Sequence, residues 1–162
     1  MTWFIMFPLA ALGIAAYRIS DKSKKLACLD ELLTASRYIK DSITLRLEPL
    51  GDIFLELSKR CPLSSELFGE LEACARRGGE LEKCIEAPKE LSMPDGESRV
   101  LWCAFLSGLG REDYKTQVKR CAEFVKSFEE RVEQKRSAMK KAAASEICLA
   151  LCIGLFFAVL SL

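Results

Sequence analysis

The side chains best suited to metal binding or nucleophilic chemistry in this chain of 162 residues are its eight cysteines. Structural zinc sites use closely spaced ligand pairs such as Cys-x-x-Cys, often completed by histidine. The chain has no His and no Cys-x-x-Cys, since its thiols stand at Cys28, Cys61, Cys74, Cys84, Cys103, Cys121, Cys148 and Cys152. We therefore expect no bound metal, and free thiols that pack as small apolar groups in a reducing compartment.

Nucleotide and cofactor motifs are incomplete. Gly108-Leu109-Gly110 begins like a dinucleotide fingerprint, but the position of its third glycine is Asp113 and no strand pattern precedes it. No string matches the phosphate-binding GxxxxGK[ST] loop. The sequence therefore predicts a protein that is not an enzyme and binds no cofactor. A serine nucleophile with a lysine partner stays open as an alternative.

Charge is confined to the middle of the chain. All 24 basic and 23 acidic side chains lie between residues 18 and 146, and both ends are free of charge. The net charge of +1 predicts no broad basic face for a phosphate backbone, so we expect no nucleic-acid partner. The length leaves room for one modest domain between the apolar ends.

The two apolar ends predict membrane helices. Residues 1–17 would cover about 25 Å as a helix, slightly less than the roughly 30 Å of a bilayer core, so we extend the first span to residues 1–19. The second span is predicted at residues 142–162, where Glu146 is the only charge and would lie near an interface.

Basic residues next to each span predict the orientation. Two basic clusters flank the apolar runs: Arg18, Lys22, Lys24 and Lys25 after the first, and Lys135, Arg136, Lys140 and Lys141 before the second. Because basic flanks stay in the cytoplasm, we expect both termini outside and residues 20–141 as a cytosolic domain. A cleaved signal peptide is the alternative, but no basic residue precedes the first apolar run and no clean cleavage site ends it.

The cytosolic segment reads as an all-α bundle of five or six helices. Apolar residues recur at helical spacing, and Pro49, Pro62 and Gly78-Gly79 separate the elements. Ser64 or Ser65 is the predicted cap of the third helix. The predicted helices cover residues 25–47, 50–61, 64–77, 81–85 and 100–108, with a loop at 87–96 and a glycine C-cap at Gly108-Leu109-Gly110.

The last helix carries a seam with alternating steps of four and three residues, broken only at Lys135. Its members are Tyr114, Val118, Cys121, Val125, Phe128, Val132 and Met139. Such a seam packs against another helix. No helix breaker lies between Asp113 and Gly154, so we expect the helix to continue into the second span as one rod.

The order of these elements resembles the stage III sporulation protein AB family of endospore-forming bacteria. Glu48-Pro49-Leu50-Gly51-Asp52-Ile53 corresponds to the family's Thr-Pro-Leu-Pro-Glu-Ala stretch. The family's C-terminal Leu-Gly-x-x-x-Gly pattern is matched in part, by Gly154. The most specific block is Leu-Gly-x-x-Asp-x-x-x-Gln, matched by Leu109, Gly110, Asp113 and Gln117.

The resemblance implies a protein of the cell membrane, at the mother-cell or outer forespore membrane. Its cytosolic domain would be similar to that of the platform protein of type II secretion and type IV pilus systems. It would engage a separate cytosolic secretion-type ATPase and other membrane proteins of the same complex. The candidate residues for partner contact or positioning are Pro49, Leu50, Leu109, Gly110, Asp113 and Gln117.

Three other interpretations stand beside this one. The 109–117 block would have a purely intramolecular role if Gly110 ends one helix and Asp113 starts the next. The chain would be a membrane-anchored adaptor or a coiled-coil dimer unrelated to sporulation if the seam pairs between two copies, so self-association stays possible. A small membrane enzyme is the third, disfavoured by the missing histidine and nucleotide loop.

Overall fold

Helices make up all the regular structure of the computed structural model, which describes residues 3–86 and 93–160. The elements are α1 (Trp3–Asp41), a π-helix (Ser42–Arg46), α2 (Leu50–Arg60), α3 (Ser65–Arg76), α4 (Leu81–Glu86), α5 (Gly96–Gly108) and α6 (Tyr114–Leu160). No strand occurs in these two ranges. The predicted all-α class is confirmed. Most of the predicted 87–96 loop lies outside the described residues.

The chain forms two compact units. One consists of Met1–Leu26 with Glu133–Leu162, and the other of Ala27–Val132. We call them the two-helix unit and the bundle unit. Because α1 and α6 are each unbroken, both helices contribute residues to both units. The prediction that α6 is one continuous rod is confirmed.

The predicted spans lie in the two-helix unit, where many side chains are outside the described set. Among the residues searched, no helix combines the length and the hydropathy of a membrane crossing. The domain limits at residues 19 and 141 therefore stay predictions.

The first helix differs from its prediction at both ends. α1 begins at Trp3 and not near residue 25, because no strong break separates the apolar run from the amphipathic segment. At its other end, the wider turn of the π-helix shifts the residues that follow. Leu47, the last residue of the predicted 25–47 helix, adopts a left-handed conformation (φ 55°) and is 71% exposed.

Aromatic rings at the centre of the bundle unit join three helices. Trp102 of α5 is fully buried and makes edge-to-face contacts with Phe68 of α3 and with Phe124 and Phe128 of α6, at centroid distances of 5.3–6.3 Å. Phe105 stacks on Phe124 with centroids 4.0 Å apart. Each such pair adds about 0.5–1.5 kcal/mol beyond burial, so this cluster fixes how α3, α5 and α6 pack.

A carboxylate of α1 holds the turn between α2 and α3. Glu31 accepts hydrogen bonds from the backbone N–H groups of Leu63 (3.2 Å) and Ser64 (2.8 Å). Ser64 is the N-cap residue of α3 as predicted, but its side chain makes no capping bond. Its hydroxyl lies instead 3.9 Å from the Cys28 thiol, since both are buried between the helices.

The seam of α6 is buried inside the bundle unit over its middle part. Cys121 and Phe128 are fully buried, and Val132 is 1% exposed. Tyr114, at the start of the seam, is exposed, and Met139 lies beyond the bundle unit. The helix partners of this seam are therefore other helices of the same chain.

Candidate functional site

The junction between α5 and α6 begins with an extended residue and a left-handed glycine. α5 ends at Gly108, and buried Leu109 follows in an extended conformation (φ −66°, ψ 128°). Gly110 has φ +75°, and a Cβ built there would lie 3.0 Å from Leu50 Cδ1. The predicted glycine cap is therefore correct only for Gly110, because Leu109 ends the helix before the left-handed residue is reached.

Asp113 caps the N-terminus of α6. Its Oδ2 accepts the backbone N–H of Thr116 at 3.1 Å, and its carbonyl accepts the N–H of Gln117 at 2.9 Å. Hydrogen bonds from Thr116 lower the pKa of Asp113 below its ordinary value. These contacts give Asp113 the intramolecular role that the sequence left open, while its carboxylate remains exposed.

Arg120 of α6 links the junction to α5. Its guanidinium contacts the Glu112 carboxylate and donates to the Ala104 carbonyl at 3.2 Å. A Cβ at position 108 would lie 2.5 Å from Arg120 Cζ. A side chain at position 108 would therefore displace the Arg120 guanidinium from these contacts, although the backbone of Gly108 is helical.

Four of the six candidate residues meet in one groove of the bundle unit. Pro49 and Leu50 at the start of α2 face the same space as Leu109 and Gly110, together with Gly78-Gly79 at the end of α3. The groove has a volume of about 590 Å³. Asp113 and Gln117 are not among its lining residues. The two family segments are thus brought together only in part.

Charged side chains in and around this groove form a network of ion pairs. The ion pairs are Arg76–Asp52 (3.2 Å), Arg76–Glu72, Arg111–Glu82 (3.2 Å) and Arg111–Glu80 (3.8 Å). We call these six residues the rim cluster. Contact with Glu72, and then with Asp52, raises the pKa of Arg76. Of the six, only Asp52, Arg76, Glu82 and Arg111 line the groove, and these two anions and two cations balance. Glu80 also pairs with Lys83.

One oxygen of the rim cluster lacks a partner. Glu82 lines the groove, and its Oε1 pairs with Arg111, whereas its buried Oε2 has no hydrogen-bond partner within the described residues. A buried acceptor without a donor is unfavourable. Because this oxygen is buried, the groove does not expose it to a docking partner.

Two exposed leucines precede Pro49, and the apolar pattern of the sequence does not reveal their exposure. Leu45 in the π-helix is 77% exposed, and Leu47 lies two residues before Pro49. The Tyr114 hydroxyl donates to the Thr44 carbonyl at 2.9 Å and so ties this segment to the start of α6. Large exposed apolar side chains on a distorted helix often mark contact surfaces. Pro49 was the only sequence signal that the helical pattern ends here.

The cysteines of the bundle unit have the character of packing residues. Burial raises the pKa of the Cys61 and Cys121 thiols to about 11 each, so both stay protonated at neutral pH. A protonated, buried thiol is a poor nucleophile. Within the described part of the chain, no group of three Cys, Asp or Glu side chains is placed to hold a metal ion.

Comparison with known proteins gives one match. The family model of stage III sporulation protein AB matches residues 2–162. No curated protein and no solved structure is similar enough to the chain to count as a match. The family is one of sporulation proteins and is not a known enzyme family. Since the match spans nearly the whole sequence, the chain belongs to the stage III sporulation protein AB family and has a role in stage III of sporulation.

Proposed function

We propose that the chain is a non-enzymatic membrane platform of a secretion-like complex between mother cell and forespore. Two spans would hold residues 20–141 at the cytosolic face, where the groove would receive a separate secretion-type ATPase. The observation that carries this proposal is the meeting of Pro49-Leu50 with Leu109-Gly110 across one groove. These segments, distant in sequence, match the family's motifs and contribute to the same surface.

The exposed carboxylate of Asp52 suits a basic docking segment on the ATPase. Asp52 lines the groove, and its side chain is 58% exposed beside Arg76. Charge complementarity steers partners together and fixes their register. Leu45 and Leu47, exposed and close to Pro49 in sequence, would add apolar contact area.

The membrane part of the proposal rests on the charge-free ends and on one ion pair. Lys22 Nζ lies 2.6 Å from Glu146 Oε1, and Glu146 is the only charged residue of the proposed second span. Pairing with a lysine lowers the cost of holding this carboxylate close to lipid. Both helices of the proposed spans belong to the same two-helix unit.

A coiled-coil dimer through the α6 seam has less support. Cys121, Phe128 and Val132 are each at most 1% exposed within the bundle unit of a single chain. Pairing of two copies through these side chains would require α6 to leave its own core. Crosslinking of single-cysteine variants at positions 125 and 128 would detect such a dimer.

The proposal is tested by reversing one charge on the groove. Asp52 is an exposed first-turn acid of α2 and lines the groove. We expect Asp52→Lys to weaken binding of the full chain to the purified ATPase at least about tenfold, because a basic segment would meet a lysine. Binding is measured in mild detergent by titration with labelled ATPase.

Glu66→Lys is the matched control. Glu66 is also a first-turn acid, in α3, but does not line the groove. Both variants change the charge equally and remove the same kind of helix-dipole contact. Equal affinity of both variants and the native chain would refute docking at the groove. No binding by the native chain would refute the ATPase role itself.

A further inference from the structure

The near-zero net charge conceals a separation of charge between the two units. The two-helix unit contains eight basic and three acidic residues, a net charge of +5. The bundle unit contains 16 basic and 20 acidic residues, a net charge of −4. The basic residues of the two-helix unit come from two segments at opposite ends of the chain, so neither segment alone contains all of them.

Every carboxylate of the two-helix unit already has a basic partner within the unit. The ion pairs are Lys22–Glu146 (2.6 Å), Lys25–Asp21 (2.8 Å) and Arg136–Glu133 (2.9 Å). The hydrogen bond from Lys25 to Asp21 also raises the pKa of that lysine, with no loss of its charge at neutral pH. None of the unit's acids is therefore left to neutralise its remaining cations.

Four further cations of this unit are exposed: Arg18, Lys24, Lys140 and Lys141. We call them the basic collar; none forms an ion pair with another described residue. The Lys22–Glu146 pair joins the two helices, and helical rise separates Lys24 from Lys22 by about 3 Å and Lys141 from Glu146 by about 8 Å along their axes. All four collar residues therefore lie within about 9 Å of this contact along the helix axes.

We propose that the basic collar binds the headgroups of anionic phospholipids. This inference rests on the membrane role proposed above. Arg18 follows the charge-free segment 1–17, and Lys140 and Lys141 immediately precede the proposed second span at 142–162, so phosphate groups of a bilayer would lie at the level of the collar. Each Lys or Arg near an anionic bilayer surface strengthens binding by about fivefold. Phosphatidylglycerol is accordingly concentrated around the two-helix unit relative to a zwitterionic lipid.

The test uses the full chain in vesicles of phosphatidylcholine alone or with a minor share of phosphatidylglycerol. Flotation measures membrane association, and mass spectrometry of lipids retained in mild detergent measures headgroup enrichment. We expect several-fold enrichment of phosphatidylglycerol on the native chain. In the triple variant Lys24→Gln/Lys140→Gln/Lys141→Gln, the ratio of phosphatidylglycerol to phosphatidylcholine among the retained lipids should return nearly to that of the vesicles. Salt of about 1 M should have the same effect, since it shortens the Debye length to about 3 Å.

The control is Lys59→Gln/Lys115→Gln/Lys126→Gln, which removes three exposed lysines from the bundle unit. We expect it to retain the native enrichment. If the native chain floats with both kinds of vesicle but shows no enrichment of phosphatidylglycerol, lipid binding by the collar is refuted, whereas the membrane role is not. Equal loss of phosphatidylglycerol enrichment in both triple variants would also refute lipid binding by the collar, because the enrichment would then depend on the total charge of the chain. Failure to float with either vesicle would overturn both proposals.

Discussion

Substitution of Gly110 by alanine tests the geometry of the groove. Gly110 has φ +75°, a conformation that costs an L-residue about 1–2 kcal/mol. The new Cβ would also lie 3.0 Å from Leu50 Cδ1, so the leucine must move within the groove. We expect Gly110→Ala to lower the free energy of unfolding by about 2 kcal/mol, the sum of the backbone cost and a smaller packing cost. It should also weaken ATPase binding.

Two other glycines separate these contributions. Gly78 has φ +67° with nothing within 4 Å of its virtual Cβ, so Gly78→Ala reports the backbone cost alone. Gly69 lies inside α3 with open space around it, and Gly69→Ala should stabilise by about 0.5–1 kcal/mol. Unfolding in urea gives the free energies. For a chain of this size each kcal/mol shifts Tm by about 2–4 °C.

The order of stability expected is Gly69→Ala, native, Gly78→Ala and then Gly110→Ala. Equal losses at positions 78 and 110 would show that Leu50 does not pack against Gly110. A neutral effect at both would refute the left-handed backbone. Loss of ATPase binding in Gly78→Ala as great as in Gly110→Ala would show that displacement of Leu50 is not what weakens docking.

Three further predictions concern the bundle unit. Asp113→Ala should lower Tm, whereas Asp113→Asn should keep it, since asparagine also caps helices. The stabilisation by the native cap is fully present above the ordinary carboxyl pKa and is lost as the pH falls through the lowered pKa of Asp113, which unfolding measured at several pH values tests. Arg131→Met should cost about 2 kcal/mol in urea unfolding, because it removes the mostly buried ion pair with Asp95 at 2.7 Å. Native stability would contradict this. Cys121 should react with a thiol reagent only on unfolding, since burial raises its pKa to about 11; fast labelling of the folded chain would refute its burial.

Local signals predicted most helices well. The apolar spacing of Ile53, Phe54 and Leu57 with Pro62 beyond them places α2 within one residue of its observed end. Such elements depend on residues within a few turns, so one sequence carries enough information. Apolar periodicity gives a wrong prediction at Leu47, where the periodic pattern continues but the π-helix and Pro49 change the direction of the chain. A pattern of apolar residues does not encode that local shift in register.

Part of the candidate site could be predicted from the sequence. The motif match indicates Pro49, Leu50, Leu109 and Gly110, and the groove includes all four. The charges that give the groove its character, at Arg76 and Arg111, were not selected, because isolated arginines in an ionic sequence resemble any solvated surface. Their partners lie on other helices, so their role depends on packing.

The sequence by itself determined the helical class, the charge-free ends, the seam of α6 and the family, because each depends on residue type, spacing or motif order. Only the tertiary structure decided that the seam is buried within one chain, that the Pro49 and Gly110 segments share a groove, and that basic residues from both ends form one collar. Those facts depend on contacts between residues far apart in the chain, and a linear pattern does not specify which surfaces meet.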